Sequence, residues 1–272
     1  MLLLMPLLLA AQTAPALTAD EIMSRVSENQ QRAVEARAHW VYTQKTHAKL
    51  LRPGGKMARE ERREYVVTPQ ADKLNKELKS FEGAYEKGGK LVAYDKPGYQ
   101  YKGIDIDGDL INDLTEDLTN DKKAKDGIDP DLFPLTREKQ EEYEFTLKGT
   151  SEIKGRKAYK IAFRPKDRNE FAWAGEALID AEEFQPAMIY TKLSRKIPAA
   201  VRVLLGTNFD QLGFSINYQR VADGVWFPSS YGTEFHFNLA FFYRRTVTFS
   251  MANSEFRKAD VASAISYETA KQ

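Results

Sequence analysis

Few residues in this sequence have the type and spacing needed for chemistry. Cysteine is absent, which removes disulfides, thiolate zinc sites, iron–sulfur clusters and thiol nucleophiles together. Histidine occurs three times, at His39, His47 and His236. His39 and His47 lie eight apart in a strand-like segment and are expected on one side of it. No H-E-x-x-H helix exists, so a histidine metal site is not expected. Asp105-Ile106-Asp107-Gly108-Asp109 has the acidic density of a calcium loop. An EF-hand started there would need Gly at the sixth position, which is Leu110, and Glu at the twelfth, which is Glu116. With the glycine misplaced, the segment reads as a solvated turn, with Asp109 near the start of a helix, where negative charge is favoured. Ser229-Ser230 lies close to His236 but lacks a third orienting group, and no G-x-S-x-G elbow occurs. Gly88-Gly89 is too short to cradle a phosphate. Glu141-Glu142 and Glu182-Glu183 are neighbours in sequence, so they do not face each other across a cleft as a catalytic acid and base must. No catalytic residue, cofactor or metal is expected. The sequence reads as a protein that binds, not as an enzyme.

Charge and length narrow the partner. The 272 residues carry 40 Lys+Arg and 39 Asp+Glu, so the formal net charge is 40 − 39 = +1. A dedicated nucleic-acid binder would show a basic excess, and around Arg52–Arg63 the cations are interleaved with Glu60, Glu61 and Glu64. The opening MLLLMPLLLAA is uncharged and about half the roughly 20 residues a membrane-spanning helix needs. It reads as the apolar core of a secretory signal, with cleavage after Ala16 or Ala11, although no basic stretch precedes it. The division expected is a signal peptide over 1–16, one folded domain over 17–258 and a polar tail over 259–272. No cysteine follows the apolar run, so the exported protein is expected to be soluble and not lipid-anchored. A monomer is expected.

The elements that must position any site follow from periodicity. Thr18-Ala19-Asp20-Glu21 has the form of a capping box opening a helix over 19–35. Ala38–Leu51 and Met57–Val67 read as a long hairpin across Arg52-Pro53-Gly54-Gly55. Short strands are expected at Lys90–Tyr94 and Tyr99–Gly103. Leu110, Leu114 and Leu118 place a surface helix over 109–122, and Thr136–Glu142 adds a short one. From Tyr143 onward the chain alternates strand and turn. The pairs expected are 143–149 with 155–165, 174–180 with 187–193, 213–222 with 224–228, and 232–238 with 242–254. About ten or eleven strands in succession, without helices between them, mean an antiparallel sheet, and a twisted sheet of that width curls. The fold class expected is α+β: an incomplete, half-open antiparallel β-barrel with helices covering its concave side.

The strand faces carry the binding argument. Phe214, Ile216 and Tyr218 alternate with Ser215, Asn217 and Gln219. Phe235 and Phe237 alternate with His236 and Asn238, and Phe249 sits among Val247 and Met251 with polar residues between. Trp40 and Tyr42, and Phe171 and Trp173, add aromatics. These apolar faces converge on one interior. Pattern does not measure volume, so an ordinary packed core and a cavity that admits acyl chains when a helix moves both stay open.

Three motifs resemble those of LolA-like proteins, the outer membrane lipoprotein-sorting group. Gly175-Glu176-Ala177-Leu178-Ile179-Asp180 followed by Gln185-Pro186 resembles that group's "G-x-hydrophobic-x-I-D … x-P" hairpin. Asp223-Gly224-Val225-Trp226-Phe227-Pro228 is similar to its "D-G-V-W-hydrophobic-P" turn, and Asn253-Ser254-Glu255-Phe256-Arg257 to its closing strand. The resemblance implies a periplasmic carrier that holds lipid or lipoprotein acyl chains under a helical lid and meets an inner- or outer-membrane receptor. It also implies an interior arginine that latches the lid, with Arg202, Arg220, Arg244 and Arg245 all eligible. The lining expected is Trp40, Tyr42, Trp173, Phe214, Ile216, Tyr218, Phe235, Phe237 and Phe249. The alternative is a sensor or adaptor that uses the same scaffold to bind an envelope protein.

Overall fold

The computed structural model describes residues 17–69, 74–118, 133–167, 172–194, 207–210, 212–239 and 242–259. The expected signal peptide over 1–16, Phe171, Arg202 and all but the first residue of the expected tail lie outside them.

Helix α1 spans Ala19–Arg37, and its capping box is formed: the Glu21 N–H donates to Thr18 Oγ1 (3.2 Å) and the Thr18 N–H to Glu21 Oε2 (2.8 Å). Among the described residues two further helices follow, α2 (Ile106–Leu118) and α3 (Arg137–Glu141). The first four strands are β1 (Trp40–Leu51), β2 (Met57–Pro69), β3 (Leu74–Lys87) and β4 (Lys90–Tyr94). After α3 come β5 (Tyr143–Ile153), β6 (Arg156–Pro165), β7 (Trp173–Asp180) and β8 (Pro186–Leu193). The last four are β9 (Thr207–Asp210), β10 (Gly213–Ala222), β11 (Val225–Leu239) and β12 (Tyr243–Lys258).

All twelve strands belong to one antiparallel sheet. Its order is β4-β3-β2-β1-β12-β11-β10-β8-β7-β6-β5, with β9 pairing β11 off that path. No pairing joins β4 to β5 among the described residues, so the sheet is open. The chain starts in mid-sheet at β1, works outward to β4, and returns through β5 at the far edge. β12 then closes against β1 with Leu50 opposite Val247 and Gln44 opposite Asn253.

Several expectations shift. β3 is a 14-residue strand that periodicity did not reveal, because its positions 76–80 are largely charged or polar on both parities. Tyr99–Gly103 is a bend, not a strand. Its tyrosines turn to stack on the sheet, Tyr99 on Tyr94 at 5.0 Å and Tyr101 on Tyr85 at 4.7 Å. β5 runs on to Ile153, and the turn falls at Lys154-Gly155, both at positive φ. β11 is continuous through Ser229–Tyr231 because a bulge absorbs one residue there: Asn217 pairs Ser230 while Tyr218 pairs Pro228. His39 lies in the turn before β1, so it does not share a strand face with His47.

Candidate functional site

One face of the sheet can be followed residue by residue across the register. A row runs Ile161, Ala177, Ile189, Ile216, Tyr231 and Met251, then passes through Thr46 to Arg63 and Phe81. A neighbouring row runs Phe163, Gly175, Thr191, Phe214, Thr233 and Phe249, then through Ala48 to Glu61 and Gly83. The same surface is therefore hydrocarbon over β6–β8 and β10–β12, and ionic over β2.

The hydrocarbon part is a single buried cluster. Phe214, Ile216, Tyr218, Phe235, Phe237 and Phe249 all lie in it, and Trp173 packs against it with its ring edge-on to Phe214 at 4.8 Å. Ile22, Met23 and Val26 of α1 and Ile111 of α2 belong to the same cluster, with Leu110, Leu114 and Leu118 half-buried against it. The six strand side chains are at most 9% exposed. Trp40 and Tyr42 are not in this group. They form a second cluster with Val67, Leu74 and Phe227, with Phe256 packed against it. Phe256 reaches there through a bulge on β12, where Glu255 takes φ 56° and two residues stand opposite Tyr42.

The ionic part was not anticipated. The five-residue turn places Leu51 opposite Met57, and a bulge at Ala58 then sets Leu50 opposite Arg59, so Arg59, Glu61 and Arg63 share the inner face with Ala48 and Leu50. All three are buried: Arg59 at 0%, Glu61 at 1% and Arg63 at 4% exposure. Arg59 Nη1 donates to Asp105 Oδ2 (2.7 Å), its Nε to Tyr94 Oη (2.7 Å) and its Nη2 to the Tyr99 carbonyl. Tyr94 Oη in turn donates to Glu61 Oε1 (2.7 Å). Arg63 holds Glu61 Oε2 from Nε at 3.0 Å and reaches Asn112 Oδ1 of α2 at 3.3 Å. Burial opposes the charge on Arg59, but Tyr94 and Asp105 outweigh it and the guanidinium pKa is raised. Burial and the adjacent Glu61 carboxylate push the Tyr94 phenol well above its ordinary value, so it stays a donor. Glycine permits the close approach at two points: a Cβ on Gly83 would fall 2.4 Å from the Tyr94 ring, and one on Gly108 2.8 Å from Arg59 Nη1.

This network seats α2. Asp105, expected in a solvated turn, is buried and caps the helix: its Oδ1 accepts from the Gly108 N–H (3.2 Å). Helix α2 starts at Ile106, three residues before the expected boundary, for that reason. Asp107 takes both Arg245 nitrogens, Nε at 2.6 Å and Nη2 at 2.8 Å, and the Tyr243 hydroxyl at 2.6 Å. The three acids of the calcium-like segment are thus divided among separate partners, since Asp109 accepts from Gln100. Of the arginines eligible to hold a helix, Arg245 does so; Arg59 and Arg63 do so as well. Arg244 is exposed, and Arg220 serves elsewhere.

The motif residues build a joint between hairpins. Asp180 accepts from Arg156 Nε (2.5 Å) and from the Glu182 and Glu183 N–H groups. Burial works to raise the Asp180 pKa, but Arg156 and those two N–H groups hold it below the ordinary value. Glu183 accepts from Arg220 Nε (2.5 Å), the Gly224 N–H (3.2 Å) and Trp226 Nε1 (2.6 Å). Gly175 meets the Tyr190 carbonyl so closely that a Cβ would fall 1.9 Å from it. These residues hold the β7–β8 and β10–β11 turns together. Elsewhere, Ser230 Oγ accepts from Asn217, and His236 Nδ1 lies 3.1 Å from Thr246 Oγ1. Six residues apart on one strand, Ser230 and His236 are separated by about 20 Å.

Among the described residues, grooves open beside the helices. One of 670 Å³ lies between α1, α3 and β5 and includes Asp20, Arg137, Tyr143 and Lys166. Another, of 550 Å³, lies between α1 and the joint and includes Arg25, Arg32 and Phe184. Neither is lined by any of the nine aromatic and aliphatic residues expected to hold ligand. No helix among the described residues is long and apolar enough to cross a membrane.

Comparison with known proteins adds the following. The model of a family of unknown function, DUF5686, matches residues 130–254. No curated protein matches. In backbone arrangement the chain is similar to a DUF1329 family protein from Desulfovibrio piger, at 12% identity and a TM-score of 0.37, covering 94% of this chain and 100% of that one. It is similar to a LolA superfamily protein from Nitrosomonas europaea at 10% identity and a TM-score of 0.33, covering 92% and 97%. A third is a domain proposed as an outer membrane lipoprotein-sorting protein in Vibrio parahaemolyticus, at 9% identity and a TM-score of 0.37, covering 87% and 93%.

Proposed function

We propose that this chain is an exported, periplasmic carrier that binds the acyl chains of a lipid or lipoprotein between the apolar part of its sheet and its helices. The observation that supports this most directly is the seating of α2. That helix meets the apolar cluster with Ile111, Leu110, Leu114 and Leu118, while Arg59, Arg63 and Arg245 hold it from the sheet. A wall fixed by a few polar contacts over a hydrocarbon floor can lift without unfolding the sheet. In this reading the helices cover the concave side of a half-open barrel, and Arg245, with Arg59, plays the latching part that the LolA-like resemblance implies. The lining is Trp173, Phe214, Ile216, Tyr218, Phe235, Phe237 and Phe249, with Trp40 and Tyr42 extending it toward the second cluster. Each acyl methylene taken from water contributes about 0.8 kcal/mol, so part of one chain gives useful affinity. No step of catalysis is involved, and no cofactor.

The test is organic extraction of protein purified from a periplasm, followed by titration with a fluorescent fatty-acyl probe. Copurifying lipid and saturable probe binding are expected, with faster probe entry in Asp107→Asn. No lipid and no probe binding together would overturn the carrier reading.

A second reading rests on how little the lining is exposed. An interior this closely filled suits a sensor or adaptor that contacts an envelope protein through its outer surface. Recovery of one stoichiometric envelope partner, undisturbed by substitutions in the lining, would favour it.

A further inference from the structure

Three hairpin turns meet along one edge of the sheet. Leu51 pairs with both Met57 and Thr246, which puts the β1–β2 turn beside the β11–β12 turn. Arg59 pairs with Tyr85, which puts the β3–β4 turn next to them. The bend before α2 arrives at the same edge, drawn there by Arg59 to Asp105 and by Arg245 to Asp107.

The exposed side chains of the molecule are distributed unevenly with respect to this edge. The three most exposed large apolar residues among those described are Ile104 at 77%, Phe242 at 76% and Leu91 at 57%. Ile104 immediately precedes Asp105, Phe242 precedes Tyr243, and Leu91 follows the β3–β4 turn, so all three stand on this rim although they come from distant parts of the chain. The charged residues of the same turns are exposed cations: Lys56, Lys87, Lys90 and Arg244. Of the nearby acids, Glu86 is paired with Arg52 at 2.6 Å and Asp107 with Arg245, while Asp109 accepts from the neutral Gln100 amide. A rim of cations with apolar side chains projecting between them is therefore present on a protein whose overall formal charge is only +1.

We infer that this rim docks on a lipid bilayer bearing anionic headgroups. The cations match the headgroup charge, and the aromatic and aliphatic side chains match the boundary between headgroup and acyl chain, where such residues are favoured. A purely acidic protein surface would satisfy the cations but leave Ile104, Phe242 and Leu91 in water. The rim does not depend on the carrier reading. A chain with nothing bound in its interior would still carry it, and the experiment below measures surface attachment without an interior ligand.

The experiment is flotation of the full chain with phosphatidylcholine vesicles, and with phosphatidylcholine vesicles containing phosphatidylglycerol, at about 0.1 M salt, where the screening length is about 10 Å. Attachment is expected to the phosphatidylglycerol vesicles only, and to weaken as salt rises. Each cation near an anionic surface contributes about fivefold. The variant with Lys56→Gln, Lys87→Gln, Lys90→Gln and Arg244→Gln is therefore expected to bind at least about a hundredfold less tightly. Ile104→Ser with Leu91→Ser weakens attachment without changing its salt dependence. A Phe242→Trp probe is expected to shift its emission to the blue on these vesicles and to be quenched by brominated acyl chains. Circular dichroism of the variants checks that each has folded. Attachment that survives the four charge substitutions in a folded variant overturns the proposal, as does no attachment to phosphatidylglycerol vesicles. If soluble polyglutamate competes while the Phe242→Trp probe stays silent on vesicles, the rim is a face for an acidic protein and the lipid assignment fails.

Discussion

Between Tyr231 and Met251 on one side and Thr46 and Arg63 on the other, a single row of the inner face passes from hydrocarbon to guanidinium. The strands on either side of that passage have the same antiparallel ladder and the same depth of burial. On β10–β12 the buried groups lose water and gain dispersion contacts, which needs no particular orientation. On β2, Arg59, Glu61 and Arg63 lose hydration worth several kcal/mol per ion and recover it only through partners placed at hydrogen-bond distance. Those partners come from Tyr94, Asp105 and Asn112, so the second half of the sheet holds its covering helix by geometry. An apolar contact can slide; a seated guanidinium either has its carboxylate or has lost it. On the carrier reading, this difference lets α2 lift as a unit while α1, bound through Ile22, Met23 and Val26, stays in place.

The largest expected effect breaks the ionic half. Arg59→Met leaves Asp105 buried without its cation, while Glu61 keeps Arg63, and the expected cost is about 3–5 kcal/mol in urea denaturation. A loss below about 1 kcal/mol would mean that water reaches the cluster, and the contrast between the halves would collapse. Asp107→Asn removes only the pairing with Arg245 and weakens the Tyr243 bond, both part-buried, for about 1.5–3 kcal/mol. Its effect is expected to be local. Amide hydrogen exchange should quicken over Ile106–Leu118 while β10–β12 keep their protection. Uniform loss of protection across both halves would show that α2 does not move as a separate unit.

The two halves also differed in how far the sequence disclosed them, and for the same reason. Phe214, Ile216 and Tyr218 stand out because serine, asparagine and glutamine separate them, and six of the nine residues expected to line the interior share one cluster. In Arg59-Glu60-Glu61-Arg62-Arg63-Glu64 both parities are charged, so hydropathy has no contrast to report and the segment reads as solvated. Turn length alone would set Ala58 opposite Leu50 and turn Arg59 outward; a bulge between Met57 and Arg59 reverses this, and no pattern in the sequence marks it. Phe256 joins Trp40 and Tyr42 at the second cluster through a bulge at Glu255, a residue whose left-handed backbone no pattern in the sequence marks. The capping box at Thr18 was legible in full because both of its bonds are local.

A smaller effect sharpens the apolar side. Ile216→Val removes one methylene from the row between Ile189 and Tyr231, and about 0.5–1.5 kcal/mol is expected from thermal and urea melts. The loss should be the same at low and high salt, since no charge is involved. A salt-dependent loss would tie Ile216 to the ionic half and blur the boundary drawn at Met251.

The smallest effect comes from the outer face of β1 and β2. Lys45 and Glu64 form an ion pair at 3.2 Å, as close as many contacts in the buried network, but their side chains are 59% and 37% exposed. Both groups keep much of their hydration, and the long side chains lose rotamer freedom when paired, so Glu64→Gln is expected to cost only about 0.2–1 kcal/mol. High salt should abolish even that, because exposed charges are screened at about 3 Å in 1 M salt. Measured beside Arg59→Met on the same strand, the pair isolates burial as the variable. Both variants remove one charge from the same strand and ladder, a cation from the buried face and an anion from the exposed one. A cost for Glu64→Gln approaching that of Arg59→Met would mean that ion pairing itself, and not the partners supplied by α2 and Tyr94, stabilises this part of the sheet.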